Sequence, residues 1–225
     1  MNLVKSFKNI KALGVLAGLL FASTLPGVSI NISDSKNDVP NWKVIKVDNK
    51  VNPTWTIYMR RIAGTDFYEY KIEGDVEASP NECIASFRQG LYDEASDYKK
   101  FPTYEMVEDT EESILTYVIH NEPFFLKDTE MSLRYTFLNS KDGSTGASWT
   151  EAWDECSIQP SKKLNRIETF RGSWSFTPIS DKTTKSEYKV QFELKGMPLW
   201  LGEPMVIKIL KEGLENIRMK TADVP

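Results

Sequence analysis

The residue types that most often carry out catalysis are scarce in this sequence. His120 is its single histidine, and it has no neighbouring cysteine, no serine on a G-x-S-x-G turn and no H-E-x-x-H partner, so nucleophilic and metal-dependent reactions lack their usual groups. Glu151 and Glu155 could form an acid–base pair, but a chain with 32 acidic residues contains many such pairs by chance. These observations predict a protein that is not an enzyme and has no metal site and no cofactor.

The two cysteines do not indicate a functional site. Cys83 and Cys156 lie far apart in the sequence and show no C-x-x-C spacing, so neither a metal site nor a disulfide framework is indicated. We expect two buried thiols. An oxidising compartment would allow a bridge between them.

A second group of residues suits the binding of an apolar molecule. Trp149, Trp153 and Trp174 are large enough to line a cavity, and the aromatic content of 12% fits one. Tyr117 shares a strand face with apolar neighbours, so its hydroxyl could be the polar tip of an apolar cavity. A core tyrosine that is hydrogen-bonded to the backbone fits the same pattern.

An apolar loop is the next candidate. Phe124, Phe125 and Leu126 are consecutive large apolar residues between two predicted strands, where an exposed loop is normally polar. They either form a rim that touches a membrane or closes on a ligand, or they cap the core.

The last predicted helix, residues 205–219, has an apolar face that includes Gly213. A glycine inside a helix costs about 1 kcal/mol relative to alanine, so this position indicates a close approach, either of a ligand or of a packed strand. Met205 and Ile209 on the same helix complete the candidate ligand-binding residues.

The elements that position these residues follow from the hydrophobic pattern. Ser79, Pro80 and Glu82 form a capping box that begins a helix reaching Tyr92, followed by a short helical stretch over 93–100 that Pro102 ends. Asp142-Gly143 is typical of a hairpin turn, and residues 140–148 are expected to form a loop of several residues around it. Alternating and β-branched runs predict nine strands over residues 42–47, 55–62, 67–74, 103–107, 113–120, 130–138, 150–158, 165–178 and 187–194.

This order of elements predicts an α+β fold. Three strands and a helix precede about six strands of antiparallel meander and one long helix. A curved antiparallel sheet can cover that helix, and the space between sheet and helix is often incompletely filled. We therefore expect a cavity there.

The N-terminal segment is typical of an export signal. Lys5, Lys8 and Lys11 precede an apolar run over 12–23, and Pro26 follows it, which predicts a signal peptide over 1–29. An uncleaved membrane anchor is the alternative. We expect a linker over 30–41, one domain over 42–220 and a tail over 221–225, in a periplasmic or secreted protein. The net charge of -4 does not favour nucleic acid.

A series of short segments follows one another along the chain: Ile57 to Arg61 before Gly64-Thr65-Asp66-Phe67, Lys71, Gly74 to Ser79, Lys127-Asp128, Ser132-Leu133-Arg134, and Leu194 to Pro198 before Trp200-Leu201. Taken in this order, they resemble the START (StAR-related lipid transfer) domain family of lipid carriers. The similarity covers about Trp42 to Lys220 and is that of a bacterial exported member of the START-like, helix-grip superfamily.

The resemblance implies a helix-grip fold with a hydrophobic tunnel for one lipid or sterol-like molecule. It also implies that the C-terminal helix and the loop before Lys127 act as a gate, and that the activity is transfer between membranes. Arg134 would then be a candidate partner for a ligand hydroxyl or carboxylate. Strand alternation instead puts Arg134 opposite the apolar face, where it would be solvated.

The sequence therefore predicts a binding protein for a phospholipid, fatty acid or sterol-like ligand. We expect a monomer that contacts membranes transiently. The alternatives are a helix-grip enzyme acting on a hydrophobic substrate, which would need a polar constellation, and an envelope adaptor without a lipid ligand, which would have a small and fully packed interior.

Overall fold

The structure, a computed structural model, describes residues 41–48, 55–65, 67–121, 127–159, 161–192 and 199–222. Within these residues, ten strands and two helices follow the predicted order, with the predicted strand over 165–178 divided in two. The elements are β1 (Lys43–Val47), β2 (Thr56–Arg61), β3 (Tyr68–Val76), α1 (Pro80–Ala95), β4 (Thr103–Asp109), β5 (Ser113–His120), β6 (Thr129–Asn139), β7 (Thr145–Glu151), β8 (Asn165–Arg166), β9 (Phe170–Ser180), β10 (Thr183–Phe192) and α2 (Leu199–Ala222).

The strands form one curved sheet in the order β1-β2-β3-β10-β9-β7-β6-β5-β4. Every neighbouring pair in this order is antiparallel, and β8 adds to the start of β6 in parallel. The pairing of β3 with β10 joins the first three strands to the rest of the sheet. The predicted α+β architecture is confirmed.

The capping box begins α1 as the sequence predicts. The Glu82 amide donates to the Ser79 hydroxyl at 3.3 Å, and the Ser79 amide donates to the Glu82 carboxylate at 2.7 Å. These two bonds satisfy amide groups that a helix start leaves without partners.

Both helices pack on the same face of the sheet. Helix α1 contacts β4, β7 and β9, α2 contacts β3 and β10, and the two helices touch each other. Phe87 and Leu91 of α1 and Leu210 and Leu214 of α2 are buried there. Burial of such side chains contributes roughly 1.5–3 kcal/mol each, so this layer provides much of the stability.

Two predicted boundaries are wrong. Helix α1 continues to Ala95 and is capped by Ser96, so the second helical stretch over 93–100 is a last helical turn followed by a non-helical turn. The hairpin turn predicted at Asp142-Gly143 is confirmed, with φ of 83° at Gly143, but its loop is shorter than predicted because Asn139 already pairs with Thr145. Strand β7 therefore begins earlier than predicted and ends at Glu151.

Cys83 and Cys156 are buried and unpaired, as predicted. In the part of the chain that the structure describes, neither helix is both long and apolar enough to cross a bilayer. The predicted signal segment over 1–29 and most of the predicted linker lie outside the described residues.

Candidate functional site

A cavity of about 40 Å³ lies between the sheet and the two helices. Eight of its thirteen lining side chains are aromatic, four are aliphatic or methionine, and one is a carboxylate. The cavity therefore offers an apolar, aromatic surface with one strongly polar point. The lining residues are Phe87, Glu94, Phe101, Tyr104, Val118, Met131, Leu133, Tyr135, Trp149, Phe170, Trp174, Tyr188 and Ile209.

The aromatic side chains of the wall pack against one another around Trp149. The centroid of its indole lies 5.9 Å from the ring of Phe87, 5.9 Å from Tyr135 and 5.8 Å from Tyr188. Tyr188 in turn stacks on Trp174 at 4.5 Å. Offset and tilted arrangements of this kind are favourable for aromatic pairs, so much of the wall is a connected cluster of rings.

Two glycines make room for these rings. Gly172 pairs with Trp149 across β7 and β9, and a Cβ atom at residue 172 would lie 2.2 Å from Cζ2 of Trp149. On α2, a Cβ atom at Gly213 would lie 3.0 Å from Cε1 of Tyr188. The close approach indicated by Gly213 is thus a contact between α2 and a ring of the cavity wall.

Replacing Gly172 with alanine is expected to lower the free energy of unfolding by about 1–3 kcal/mol, the usual cost of overpacking. The added Cβ would overlap the indole of Trp149 and lie 2.7 Å from the carbonyl oxygen of Lys189, and the indole is enclosed by other rings. Urea unfolding followed by circular dichroism measures the change.

Gly90→Ala is the matched control for Gly172→Ala. Gly90 lies inside α1, and its added Cβ would meet only Nζ of Lys220, at 3.5 Å. Alanine at this helical position should raise stability by up to about 1 kcal/mol. Equal stability of Gly172→Ala and the wild type would contradict the close packing described above.

Glu94 is the polar point of the cavity. Only 9% of this residue is exposed, and no described residue donates a hydrogen bond to its carboxylate. Burial raises the pKa of Glu94 to about 7, although Lys100 and Lys220 act in the opposite direction. Such a group is neutral or charged near physiological pH according to what lies beside it.

The charge of Glu94 acts on three tyrosines of the cavity wall. Burial raises the pKa values of Tyr104, Tyr135 and Tyr188, and the charge of Glu94 raises each of them further. All three line the cavity, and among the described residues none of their hydroxyls has a hydrogen-bonding partner. One carboxyl and three hydroxyl groups are therefore available to a bound molecule.

The sequence contains a signal for Glu94 that our prediction missed. Phe87 and Leu91 mark the buried stripe of α1, and Glu94 follows Leu91 by three residues, so it continues the stripe. The predicted helix ends at Tyr92, two residues before Glu94, so the prediction does not place Glu94 on the buried stripe.

The structure brings together three of the predicted ligand-binding residues. Trp149, Trp174 and Ile209 line the cavity, and Gly213 lies directly behind Tyr188 and Trp174. Met205 is half-buried on α2 and is not part of the cavity wall. The predicted gate residues Phe124, Phe125 and Leu126 lie outside the described residues.

Tyr117 does not line the cavity. Its neighbour Val118 does, and because successive side chains of a strand point to opposite faces, Tyr117 lies on the far side of the sheet. There its hydroxyl donates to the Glu130 carboxylate at 3.0 Å, and its ring meets Trp153 edge-on at 6.4 Å. The prediction that Tyr117 is the polar tip of the cavity is wrong for this reason.

Arg134 is likewise on the far side of the sheet. Its strand neighbours Leu133 and Tyr135 line the cavity, so alternation turns Arg134 away from it. The guanidinium group pairs with the carboxylates of Glu108 at 2.7 Å and Glu155 at 2.5 Å. It is an ion-paired surface residue, and the proposed contact with a ligand in the cavity is not available to it.

A second buried polar cluster lies on this far side. The Glu130 side chain is fully buried, and Nε of Arg166 donates to its carboxylate at 2.9 Å. The Arg166 guanidinium also lies 3.7 Å from the centroid of the Trp153 ring. Nη2 of Arg166 is buried without a hydrogen-bonding partner among the described residues, so the ion pair with Glu130 and the ring of Trp153 are what compensate the buried charge, as in a structural cluster.

Across the described ranges, no group of three or more histidine, cysteine, aspartate or glutamate side chains is arranged to hold a metal ion. His120 is buried with its ring edge-on to Phe101 at 5.5 Å between centroids, beside the cavity and outside its wall.

Solved structures of lipid-transfer domains have a similar fold. The STAR-related lipid transfer protein of Xanthomonas axonopodis superposes with a TM-score of 0.64 at 18% identity, covering 81% of this chain and 99% of that one. Human STARD10 gives 0.63 at 12% identity, with coverage of 88% and 83%. The lipid transfer and protein localization domain of human StarD13 gives 0.62 at 12% identity, with coverage of 82% and 90%.

No family model and no curated protein matches the sequence, so the assignment depends on three-dimensional similarity. That similarity extends over more than four fifths of the chain in each of the three comparisons. Together with the curved antiparallel sheet packed on α2 and the cavity between them, it shows that the chain has the START-like, helix-grip fold.

Proposed function

We propose that this protein binds a lipid or another hydrophobic molecule in the cavity beneath α2 and transfers it between membranes. The observation that carries the proposal is the cavity wall, in which twelve of thirteen side chains are aromatic, aliphatic or methionine. A lipid chain gains roughly 0.8 kcal/mol for each CH₂ group that it buries in such surroundings. The solved structures of lipid-transfer proteins with this fold support the same function.

The size of the cavity sets a condition on binding. Ligand pockets usually enclose roughly 300–1,000 Å³, and the cavity seen here is about 40 Å³. A whole lipid therefore needs movement of the wall. Met131 is flexible enough to change rotamer, and Ile209 moves with α2. We propose that α2 and the loop containing Phe124, Phe125 and Leu126 open together and that this loop touches the membrane.

Protein purified from its native host is expected to carry one lipid per chain. Native mass spectrometry, followed by solvent extraction, identifies the lipid class. A phospholipid, a fatty acid or a sterol-like molecule at equal stoichiometry supports the carrier function. Extraction of a chemically altered product after incubation with that lipid would instead indicate an enzyme.

The transfer step has its own test. Donor and acceptor vesicles with a fluorescent form of the identified lipid report the transfer rate, and a variant with Phe124→Ser and Phe125→Ser is expected to transfer more slowly while binding the same lipid. Equal rates would contradict the role proposed for the loop.

A second candidate function is an adaptor of the cell envelope without a lipid ligand, and the small volume of the cavity favours it. The mass measurement separates the two functions. A chain that has no bound lipid, and gains none after incubation with mixed membrane lipids, would contradict the carrier function and support the adaptor.

We also propose that the protein acts outside the cytoplasm. Processing after Ser29 is expected to leave a chain that begins near Ile30, because an apolar run preceded by lysines is typical of a cleaved signal. The intact mass of the protein isolated from its host measures this. A mass that includes residues 1–29 in a membrane fraction would indicate the uncleaved anchor.

A further inference from the structure

The cavity wall has a defined electrostatic character. Glu94 is the one charged residue among those that line it. The wall as described contains no lysine, arginine or histidine, and within the described residues no ammonium or guanidinium group lies close enough to Glu94 to form an ion pair. A phosphate or carboxylate head group bound here would lose its water beside another negative charge, which is strongly unfavourable.

A positive charge would find three favourable interactions in the same place. The carboxylate of Glu94 attracts it directly. Eight aromatic rings surround the space, and the faces of such rings attract cations within about 6 Å. Glu94 also lies in the last turn of α1, which contains no basic residue, so the negative end of the helix dipole adds to the attraction.

The protein already holds one ammonium group at this end of the cavity. Nζ of Lys100 lies 5.0 Å from the centroid of the Phe101 ring, and Phe101 belongs to the wall. Burial lowers the pKa of Lys100, whereas the charges of Glu94, Asp97 and Glu212 favour its charged form. Burial outweighs these attractions and the pKa of Lys100 stays below its ordinary value, so the ring and the carboxylates offset part of the cost of burying a cation here, just outside the cavity.

The wall offers several hydrogen-bond acceptors to a primary amine, beside the donor Nε1 of Trp149, which is buried and has no partner among the described residues. A charged primary amine has three N–H donors and no acceptor. Glu94 offers two acceptor oxygens, and the hydroxyl oxygens of Tyr104, Tyr135 and Tyr188 offer more. A hydroxyl group on a ligand would use one donor and leave the other acceptors without a partner.

We propose that the cavity selects a hydrophobic molecule that carries a primary amine, and that Glu94 is the specificity-determining residue. This inference deepens the proposed function and depends on it. The apolar rings accept the hydrophobic part of the molecule, and the end of the cavity at Glu94, Tyr104, Tyr135 and Tyr188 accepts its head. Fatty acids, and phospholipid head groups without an amine, are rejected by the same carboxylate.

The test compares decylamine, decanol and decanoate, which share one alkyl chain and differ only in the head. Binding is measured by tryptophan fluorescence, because Trp149 and Trp174 line the cavity, and by calorimetry. At about pH 8.5 the amine is charged and Glu94 is ionised. We expect decylamine to bind at least about tenfold more tightly than decanoate, with decanol between them.

Two variants make the test specific. Glu94→Gln keeps the shape of the side chain, removes its charge and is expected to remove most of the difference between decylamine and decanoate while leaving decanol nearly unchanged. Glu112→Gln removes the same charge from an exposed turn and is expected to keep the full discrimination. The pair separates an effect of the cavity from a general attraction of amines to an acidic protein.

Each outcome decides the proposal. Equal affinity for the three compounds, preference for decanoate, or discrimination that Glu94→Gln leaves undiminished overturns the inference and leaves the hydrophobic-ligand function intact. Absence of binding for all three compounds overturns the hydrophobic-ligand function itself, and the inference fails with it.

Discussion

Arg166→Ala is expected to destabilise the protein by about 3–5 kcal/mol, the usual cost of removing one partner from a buried ion pair. The Glu130 side chain has no exposed surface, and Nε of Arg166 donates to its carboxylate at 2.9 Å. After the substitution, the hydrogen bond from Tyr117 at 3.0 Å would remain, and it carries no positive charge. Urea unfolding near neutral pH gives the change in free energy.

The pair Arg171 and Glu151 provides a surface comparison. Arg171 donates to the Glu151 carboxylate through two nitrogens, Nε and Nη2, but 54% of the Arg171 side chain is exposed. Arg171→Ala should therefore cost less than about 1 kcal/mol. The double variant Arg166→Ala with Glu130→Gln removes the unpaired charge and should recover part of the loss. Similar costs for Arg166→Ala and Arg171→Ala would contradict the burial of the first pair.

Glu94→Gln is expected to stabilise the protein at high pH and to leave its stability unchanged at low pH. The pKa of Glu94 is about 7 in the folded protein against 4.5 for an ordinary glutamate. Between these values the unfolded chain releases its proton and the folded chain keeps it, so the wild type loses stability as the pH rises. Above about pH 7 the loss reaches about 3 kcal/mol.

Parallel urea titrations at several pH values measure this difference. The variant and the wild type should unfold at the same urea concentration at about pH 4 and diverge steadily towards about pH 8. Burial is the main cause of the raised pKa of Glu94, the charges of Lys100 and Lys220 oppose it, and those of Asp93 and Asp97 reinforce it. Glu112→Gln, in an exposed turn, should follow the wild type. A constant offset between the curves of Glu94→Gln and the wild type would contradict a burial effect on its pKa.

The architecture could be predicted because each element has a local signal. The capping box at Ser79 and the alternation along β2, β3, β5 and β6 depend only on neighbouring residues, and the order of elements then resembles one family. Strand β7 was misplaced because its first residues, Thr145 to Ser148, are small and look like a loop. At Gly146 the lack of a side chain has a structural reason, because the backbone of β9 comes so close that a Cβ atom there would lie 2.6 Å from the carbonyl oxygen of Trp174.

The candidate site was harder to predict than the fold. Alternation shows which residues of a strand share a face, and it does not show which face turns inward. Trp149 and Trp174 were therefore found by residue type, and Tyr117 was assigned to the wrong side. Glu94 was missed because a glutamate near a helix end is normally solvated. Only the contact of its helix with the sheet shows that it is buried.

The pairing of β3 with β10 has a consequence for how the chain is made. Tyr68 pairs with Phe192 and Val76 with Thr184, so β3 can join the rest of its sheet only after Phe192 has been synthesised and has left the ribosome. Contacts between residues so distant in the sequence form slowly. A growing chain would thus stay open during synthesis, and if the N-terminal segment directs export as we propose, a translocase would receive it before its sheet has closed.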